Sequence, residues 1–448
     1  MLGSQMDKRK VEHIAFINFR RYTWSITPKI KKALDSSGGL LKAYCTPSLS
    51  LLTIAALTPG DIRASYIDED FEEIDFDGGY DIVGISAMTQ QAPKAYQIAS
   101  EFRKRNVYVV IGGIHASVLP DEALQHADTV MVGEAEETWP AFLEDFRKNR
   151  AKRVYTGSSL VDITKSPVPR YDLLRGKGYF RDASRFYNMV PLQATRGCPH
   201  DCEFCLVSKI YGKRIRKKKI EQIKKEVLSI KANTPNKVLL FADDNLFVDN
   251  KYAKELVMAL KELRIRWWAQ TDIAFGDDEE LLSMAYDGGC LIVLIGFESI
   301  HPKNLEEMNR TKWKYKQLAK YRKNIERIQS HGIQVFGSFI FGLDNDSPDV
   351  FRAVVEFMEQ NHITGQLTIA TPLPGSRLEE RLKIENRLLP EYGQWERCTF
   401  FDVLFDPKLM SKKELEEGFI WAYQQVFSES SFAKRAEYLK HAYKRLHS

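Results

Sequence analysis

The chain has 448 residues, of which 44% are hydrophobic and 28% charged, and its 65 basic and 60 acidic side chains leave a formal charge of +5. This length predicts two or three domains, each able to bury a core. No apolar run reaches the ~18 residues of a membrane-spanning helix, which excludes an integral helical membrane protein, and a nearly balanced charge gives no reason to expect nucleic acid as a partner.

The opening MLGSQMDKRK reads as an added tail over residues 1–10 with a second start at Met6, and it lacks the apolar core of a signal peptide, so a cytoplasmic protein is expected. From residue 11 to about 150, strand-like and helix-like segments alternate: VEHIAFINF, LSLLTIAAL, YDIVGIS, a helical stretch through AYQIASEFRKR, VYVVIGG, EALQH, DTVMVG and TWPAFLEDF. Short, continuous apolar runs suit strands buried on both faces of a parallel sheet, which predicts a doubly wound, Rossmann-like α/β domain over 11–150. Ligands of such sheets sit beyond the carboxyl ends of the strands. Those ends carry Ser86-Ala87-Met88-Thr89, Gly112-Gly113-Ile114-His115 and Gly133-Glu134, so small residues open a broad crevice. No G-x-G-x-x-G occurs, so the crevice is not an obvious dinucleotide site.

Residues 151–188, around SPVPRYDLLRGKGYF, show no sustained period and suit a connecting segment. A second alternation then runs through NMVPLQAT, KVLLFADD, RIRWWAQTDI, CLIVLIGFES, IQVFGSFIFG and QLTIATPLPG, with helical stretches between. About six β/α units over 189–375 predict a partial (β/α)6 barrel of the TIM type. The basic run KRIRKKK (213–219) leads into helical spacing at Ile220, Ile223, Val227 and Ile230 and reads as a solvated helix start, in preference to an RNA contact. Residues 376–448, including QWERCTFFDVLF and FIWAYQQVF, predict a small helical C-terminal extension.

Six cysteines, with Cys198, Cys202 and Cys205 clustered in RGCPHDCEFC and Cys45, Cys290 and Cys398 scattered, do not form the paired framework of a disulfide scaffold. The cluster follows the first strand of the second alternation, in a βα loop at the carboxyl face where barrels of this kind build their sites. Three thiolates from one loop can hold three corners of an iron–sulfur cubane and leave one iron open, whereas ordinary 4Fe–4S proteins supply four. Zinc with His200 as fourth ligand competes, but structural zinc normally takes paired ligands from two loops.

The C-x3-C-x2-C spacing after a first barrel strand, with Phe204 before the last cysteine, resembles the radical S-adenosylmethionine (SAM) superfamily over residues 189–375. The resemblance implies a 4Fe–4S cluster on Cys198, Cys202 and Cys205 whose open iron is chelated by SAM, and cleavage of SAM to a 5′-deoxyadenosyl radical. It implies SAM contacts from FADDN through Asp243, Asp244 and Asn245, from QTDI and GFES through Gln270, Asp272 and Glu298, from GSFIFG through Ile340, and from Arg216 to the SAM carboxylate. The N-terminal pattern of Ser86, Thr89, GGIHASVLPDEAL (112–124) and VMVGEAEET (130–138) is similar to the cobalamin-binding half of cobalamin-dependent radical SAM enzymes, and PSLSLLTIAAL (47–57) resembles their helix beside the corrin's upper face. Cobalamin contacts are then expected from Ser86, Thr89, Gly112, Gly113, His115, Gly133 and Glu134. No D-x-H-x-x-G occurs, so His115 is expected to be a packing or hydrogen-bonding residue in preference to a cobalt ligand. Together these features are similar to hopanoid methylases and bacteriochlorophyll-modifying enzymes, and imply C-methylation of an unactivated carbon in a hydrophobic polycyclic or macrocyclic small molecule. They also imply a flavodoxin- or ferredoxin-type electron donor, and a peripheral membrane position where the substrate is a lipid. A radical cyclase without methyl transfer is the alternative.

Overall fold

The computed structural model describes residues 10–19, 26–36, 46–157, 160–177, 189–234 and 238–447, with side chains as far as 440. The tail before residue 10, Cys45 and the later part of the expected connecting segment lie outside the described residues. The chain forms two compact units, one within residues 1–22, 47–182 and 228–235, the other within 23–46, 183–227 and 236–448.

In the first unit six strands, β1 (His13–Asn18), β2 (Arg63–Asp68), β3 (Ile82–Ser86), β4 (Tyr108–Gly112), β5 (Thr129–Val132) and β6 (Val154–Thr156), form one sheet in the order β2-β1-β3-β4-β5-β6. Every pairing is parallel. Alternation along β1 explains the apolar run: Ala15 and Ile17 join the core with Ile98 and Phe102 of the helix Ala92–Lys104, while Phe16 meets Trp139 of the helix Thr138–Arg147. The strand order reverses between β1 and β3, the switch point beside which doubly wound sheets bind ligands. Two elements differ from expectation. LSLLTIAAL is the helix Leu49–Leu57, as its resemblance implied, and the neighbouring edge strand is the polar RASYID of β2. The other edge, β6, falls in the stretch expected to be purely connecting. Edge strands need no continuous apolar run, so hydrophobicity alone does not reveal them.

The second unit holds β7 (Met189–Leu192), β8 (Thr195–Arg196), β9 (Arg216–Lys217), β10 (Val238–Phe241), β11 (Arg266–Thr271), β12 (Cys290–Glu298), β13 (Gln334–Phe341) and β14 (Thr364–Ile369). Six of these make a parallel sheet in the order β14-β13-β12-β11-β10-β7, with helices in the intervening segments, which is the expected (β/α)6 partial barrel. β8 and β9 form a separate antiparallel ladder of two residues each. The helix Pro28–Ser36 belongs to this unit although residue 28 falls within the stretch expected for the first domain: Thr27 hydrogen-bonds to the buried Asp402, and Lys29 pairs with Glu417 of the helix Lys412–Val426 at 3.2 Å. The C-terminal extension is only partly helical. QWERCTFFDVLF is one short 3-10 turn, Trp395–Arg397, followed by irregular chain.

Candidate functional site

The three clustered cysteines lie on a loop that the β8/β9 ladder closes at its base, pairing Arg196 with Arg216. Gly197 begins the loop with φ +101°, and a Cβ there would meet the Arg214 carbonyl at 2.6 Å. Only glycine fits that turn. Cys198 N–H then donates to the Gly212 carbonyl at 3.2 Å, and Cys205 N–H to the Cys202 carbonyl at 3.1 Å. From outside, Glu203 N–H donates to the Met308 carbonyl at 3.0 Å, and the Glu203 carboxylate takes a bidentate pair from Arg381 at 2.9 and 3.1 Å. The loop is therefore held in shape by protein contacts on both sides.

Burial pushes the Cys198 thiol up to about 11 and the Cys205 thiol up to about 12, and raises that of Cys202. Opposing this, the His200 backbone N–H donates to Cys198 sulfur, and Val207 N–H reaches Cys205 sulfur at 3.5 Å. Sulfurs ringed by N–H donors in a dry loop suit thiolates neutralised by metal. His200 is engaged elsewhere: its Nε2 lies 3.0 Å from Asp272, and its ring stacks on Trp313 with centroids 5.2 Å apart. Among the described residues no three His, Cys, Asp or Glu side chains are grouped to hold a single metal ion.

Behind the loop, the carboxyl ends of the strands bring some of the expected SAM residues together and give others different work. Asp243, fully buried at the end of β10, accepts from Ala194 N–H, Thr195 N–H and the Thr195 hydroxyl. These donors occupy much of a carboxylate's capacity and tie Asp243 to the start of the cysteine loop. Its neighbour Asp244 accepts a long bond from Gly197 N–H, 3.3 Å, and one from its own N–H, and burial pushes it up to about 6 although these bonds and the charges of Arg196 and Arg216 pull the other way. A desolvated carboxyl group with spare acceptor capacity is suited to a cation. Asn245 and Asp272 form a chain with His200: Asn245 Nδ2 donates to Asp272 at 2.8 Å, and Thr271 donates to Asn245 Oδ1 at 3.1 Å. Burial pushes Asp272 up, but the bonds from His200 and Asn245 outweigh it and hold the group below its ordinary value.

Glu298 ends β12 with φ +64°, a left-handed conformation costly for a side chain of its size. Its carboxylate is met by Lys314 at 3.0 Å, whose ammonium also reaches the Gly296 carbonyl. Gln270 and Phe204 are half-buried, Ile340 is buried in β13, and Arg216 donates Nη2 to the Tyr211 carbonyl at 2.9 Å. Lys314, Trp313 and Asn309 escaped the sequence reading because NRTKWKYKQ (309–317) looks like a solvated stretch leading into a helix. Lys218 is a similar case: within the run expected to be solvated it is buried in an ion pair with Glu226.

In the first unit the carboxyl ends of β3, β4 and β5 stand side by side. Gly113 has φ +97°, and a Cβ on it would lie 2.7 Å from the Ala87 carbonyl and 2.9 Å from Ser86 Oγ. This glycine lets the two strand ends close together. Gly133 has φ +80° with open space where a Cβ would be, and its N–H donates to Ser117 Oγ, itself bonded to the Gly113 carbonyl. Thr89 Oγ1 and Gln90 Oε1, just past the end of β3, are buried without a hydrogen-bond partner among the described residues, as expected of polar atoms that await a ligand. Gly112 ends β4 and accepts from Ala87 N–H, and Ser86 accepts a long bond from Ser50. His115 and Glu134 are engaged with the protein itself. His115 is 1% exposed, with Nε2 2.9 Å from the Tyr96 hydroxyl and 3.3 Å from Glu122, so its ring is built into the packing of the helix Ala92–Lys104 and burial lowers its basicity. Glu134 accepts from Val161 N–H at 3.1 Å, which ties down the following chain.

Comparison with known proteins gives the same two halves. Residues 192–358 match the family model of the radical SAM superfamily, and residues 43–143 match that of the B12 binding domain. A bacteriochlorophyllide d C-12(1)-methyltransferase of Chlorobaculum tepidum is 31% identical over 434 residues, 95% of this chain and 92% of the relative. The chain belongs to the cobalamin-dependent radical SAM methyltransferases. A hopanoid C-2 methylase of Rhodopseudomonas palustris is 26% identical over 79% of this chain and 67% of the relative. The fold is shared with the methyltransferase TsrM of Kitasatospora setae, solved with cobalamin and a [4Fe-4S] cluster, at a TM-score of 0.69 and 15% identity over 97% of this chain and 100% of that one. The cofactors of this methyltransferase are a 4Fe–4S cluster, SAM and cobalamin. Its own residues fit them: three thiols in a dry N–H-lined loop for the cluster, an underused carboxyl at Asp244 for an ammonium, and glycine-lined strand ends with orphaned polar atoms for a large ligand. Among the described residues no helix is long and apolar enough to cross a membrane.

Proposed function

We propose that this methyltransferase C-methylates an unactivated carbon of a hydrophobic polycyclic or macrocyclic small molecule, with electrons from a flavodoxin- or ferredoxin-type donor. One observation carries the reading: a protein-braced three-cysteine loop at the mouth of a (β/α)6 barrel and glycine-lined strand ends in a doubly wound sheet occur in one chain whose relatives are named for bacteriochlorophyllide and hopanoid methylation. When bound, the cluster and SAM supply a hydrogen-abstracting radical, and cobalamin supplies the methyl group. Cys198, Cys202 and Cys205 would hold the cluster. Asp244 is the best acceptor for the SAM ammonium, and Gln270 and Glu298 are the polar side chains at neighbouring strand ends. Asn245 and Asp272 keep His200 and the loop in register, and Asp243 fixes the loop's first residues. Ser86, Thr89, Gly112, Gly113 and Gly133 would line the cobalamin crevice, while His115 stays with Tyr96.

Methyl transfer through cobalamin requires two SAM molecules per product, one to recharge cobalt and one to yield the radical. S-adenosylhomocysteine and 5′-deoxyadenosine are therefore expected in about equal amounts when the reduced enzyme is supplied with a pigment and lipid extract from cells lacking the gene. Label from methyl-labelled SAM should enter a product one methylene heavier. Deoxyadenosine with little S-adenosylhomocysteine and an unlabelled product would instead mark a cyclase.

The crevice reading has its own test. Gly133→Leu strains the backbone by roughly 1–2 kcal/mol, but its Cβ would meet no protein atom within 4 Å, so the unit should stay folded. The side chain would project into the crevice, and hydroxocobalamin binding, followed by absorbance after equilibrium dialysis, should weaken at least about tenfold, the equivalent of ~1.4 kcal/mol. His115→Ala should leave the cobalt(II) paramagnetic spectrum without loss of any nitrogen splitting. Unchanged binding in Gly133→Leu, or a nitrogen splitting that vanishes with His115, would move the ligand elsewhere.

A further inference from the structure

The cysteine loop has a neighbour that the reaction as described does not use. Cys202 and Asn309 form an isolated antiparallel bridge, so the chain at 308–309 runs along the middle cysteine. Asn309 is 2% exposed. Its Oδ1 accepts from the Thr311 hydroxyl at 3.1 Å and from Trp313 N–H at 3.0 Å, and two donors on one end decide which end of the amide is the nitrogen. The remaining end, Nδ2, is buried without a hydrogen-bond partner among the described residues, sulfur included. Residues paired across an antiparallel bridge put their side chains on one face with Cβ atoms about 5 Å apart, so the Cys202 side chain is the neighbour beside this amide. A buried amide donor is rarely left without an acceptor. A neutral thiol is a poor one, whereas a thiolate sulfur bound to iron carries negative charge and accepts well.

We infer that Asn309 is a positioning residue for the cluster, donating an N–H···S hydrogen bond to the Cys202 sulfur that raises the cluster's reduction potential. The inference rests on the cluster assignment proposed above. An added electron spreads onto the cluster sulfurs, so a fixed donor stabilises the reduced state more than the oxidised one and makes reduction by an external donor easier. Lys314 also bears on Cys202, but its charge is largely taken up by Glu298 and the Gly296 carbonyl. Asn309 is the neutral group whose donor has no other use.

The test uses the full chain, reconstituted anaerobically without SAM, with iron and sulfide counted before the reduced cluster is titrated by electron paramagnetic resonance. Asn309→Leu keeps the volume and removes the donor. It should retain the iron of the native protein while its midpoint falls by about 59 mV, a tenfold loss in the one-electron equilibrium constant. Asn309→Gln should recover most of the shift, and Thr311→Val, which leaves Nδ2 in place, should keep the native midpoint. An Asn309→Leu protein with a full cluster and an unchanged midpoint overturns the inference. Native protein labelled with side-chain 15N asparagine gives a reading that needs no stable Leu variant: pulsed resonance should detect a 15N coupling to the reduced cluster that is lost in Asn309→Gln, and its absence from the native protein also overturns the inference. Failure of the underlying assignment looks different, because the native protein would then reconstitute no four-iron cluster or would keep its iron without the three cysteines.

Discussion

Replacing Cys198, Cys202 and Cys205 together with alanine is expected to abolish iron binding and to reduce 5′-deoxyadenosine formation to background. The native protein should reconstitute to about four irons and four sulfides per chain. No other cysteine among the described residues can substitute: Cys290 is buried at the start of β12 with its thiol turned to the Ile292 carbonyl, and Cys398 is fully buried near Asp402. Cys290→Ser and Cys398→Ser should therefore keep the full iron content. The loop's shape depends on backbone bonds, on Gly197 and on the Glu203–Arg381 pair, none of which the alanines remove, so far-ultraviolet circular dichroism should stay native. Iron retained by the triple variant, or zinc alone in the native protein, would defeat the assignment.

The parts legible in the sequence are those where one residue type at one spacing admits few alternatives. Three cysteines within eight residues after a strand, and short apolar runs alternating with helices, led to the loop, the two parallel sheets and the six β/α units. Less legible were features decided by where a polar side chain spends its hydrogen bonds. Asp243 and Asp244 are adjacent carboxylates in FADDN and look equivalent on paper. Yet both lie just past the end of β10 in different surroundings, one held by Thr195 and Ala194 and the other by the Gly197 N–H and its own. His115 is a similar case, since a histidine beside strand-end glycines gives no sign that Tyr96 and Glu122, from other parts of the chain, will claim its ring. Edge strands β2 and β6 were hidden by polarity, and Asn309 and Lys314 by charged neighbours that made a buried segment look solvated.

Asp243→Ala is expected to lower the stability of the barrel unit by on the order of 3 kcal/mol, because it leaves the N–H groups of Ala194 and Thr195 buried without acceptors. Burial lifts this carboxyl group to about 7, yet the bonds from Thr195 and Ala194 pull it the other way. It is placed to tie the start of the cysteine loop to the end of β10. If that anchor is its work, the alanine variant should unfold at lower urea concentration and reconstitute poorly with iron even when no SAM is present. Asp243→Asn, which keeps one acceptor oxygen for the Thr195 donors, should fall between the native protein and the alanine variant. Asp244→Asn should show the opposite pattern, with near-native stability and full iron but weaker SAM binding by calorimetry, since the bonds Asp244 accepts come from backbone N–H groups that an amide oxygen can still serve. A ligand contact at Asp243 predicts something else: native urea unfolding and a complete cluster in Asp243→Ala, with only SAM affinity lost. That result would return Asp243 to the ligand and leave the start of the loop to the β8/β9 ladder alone.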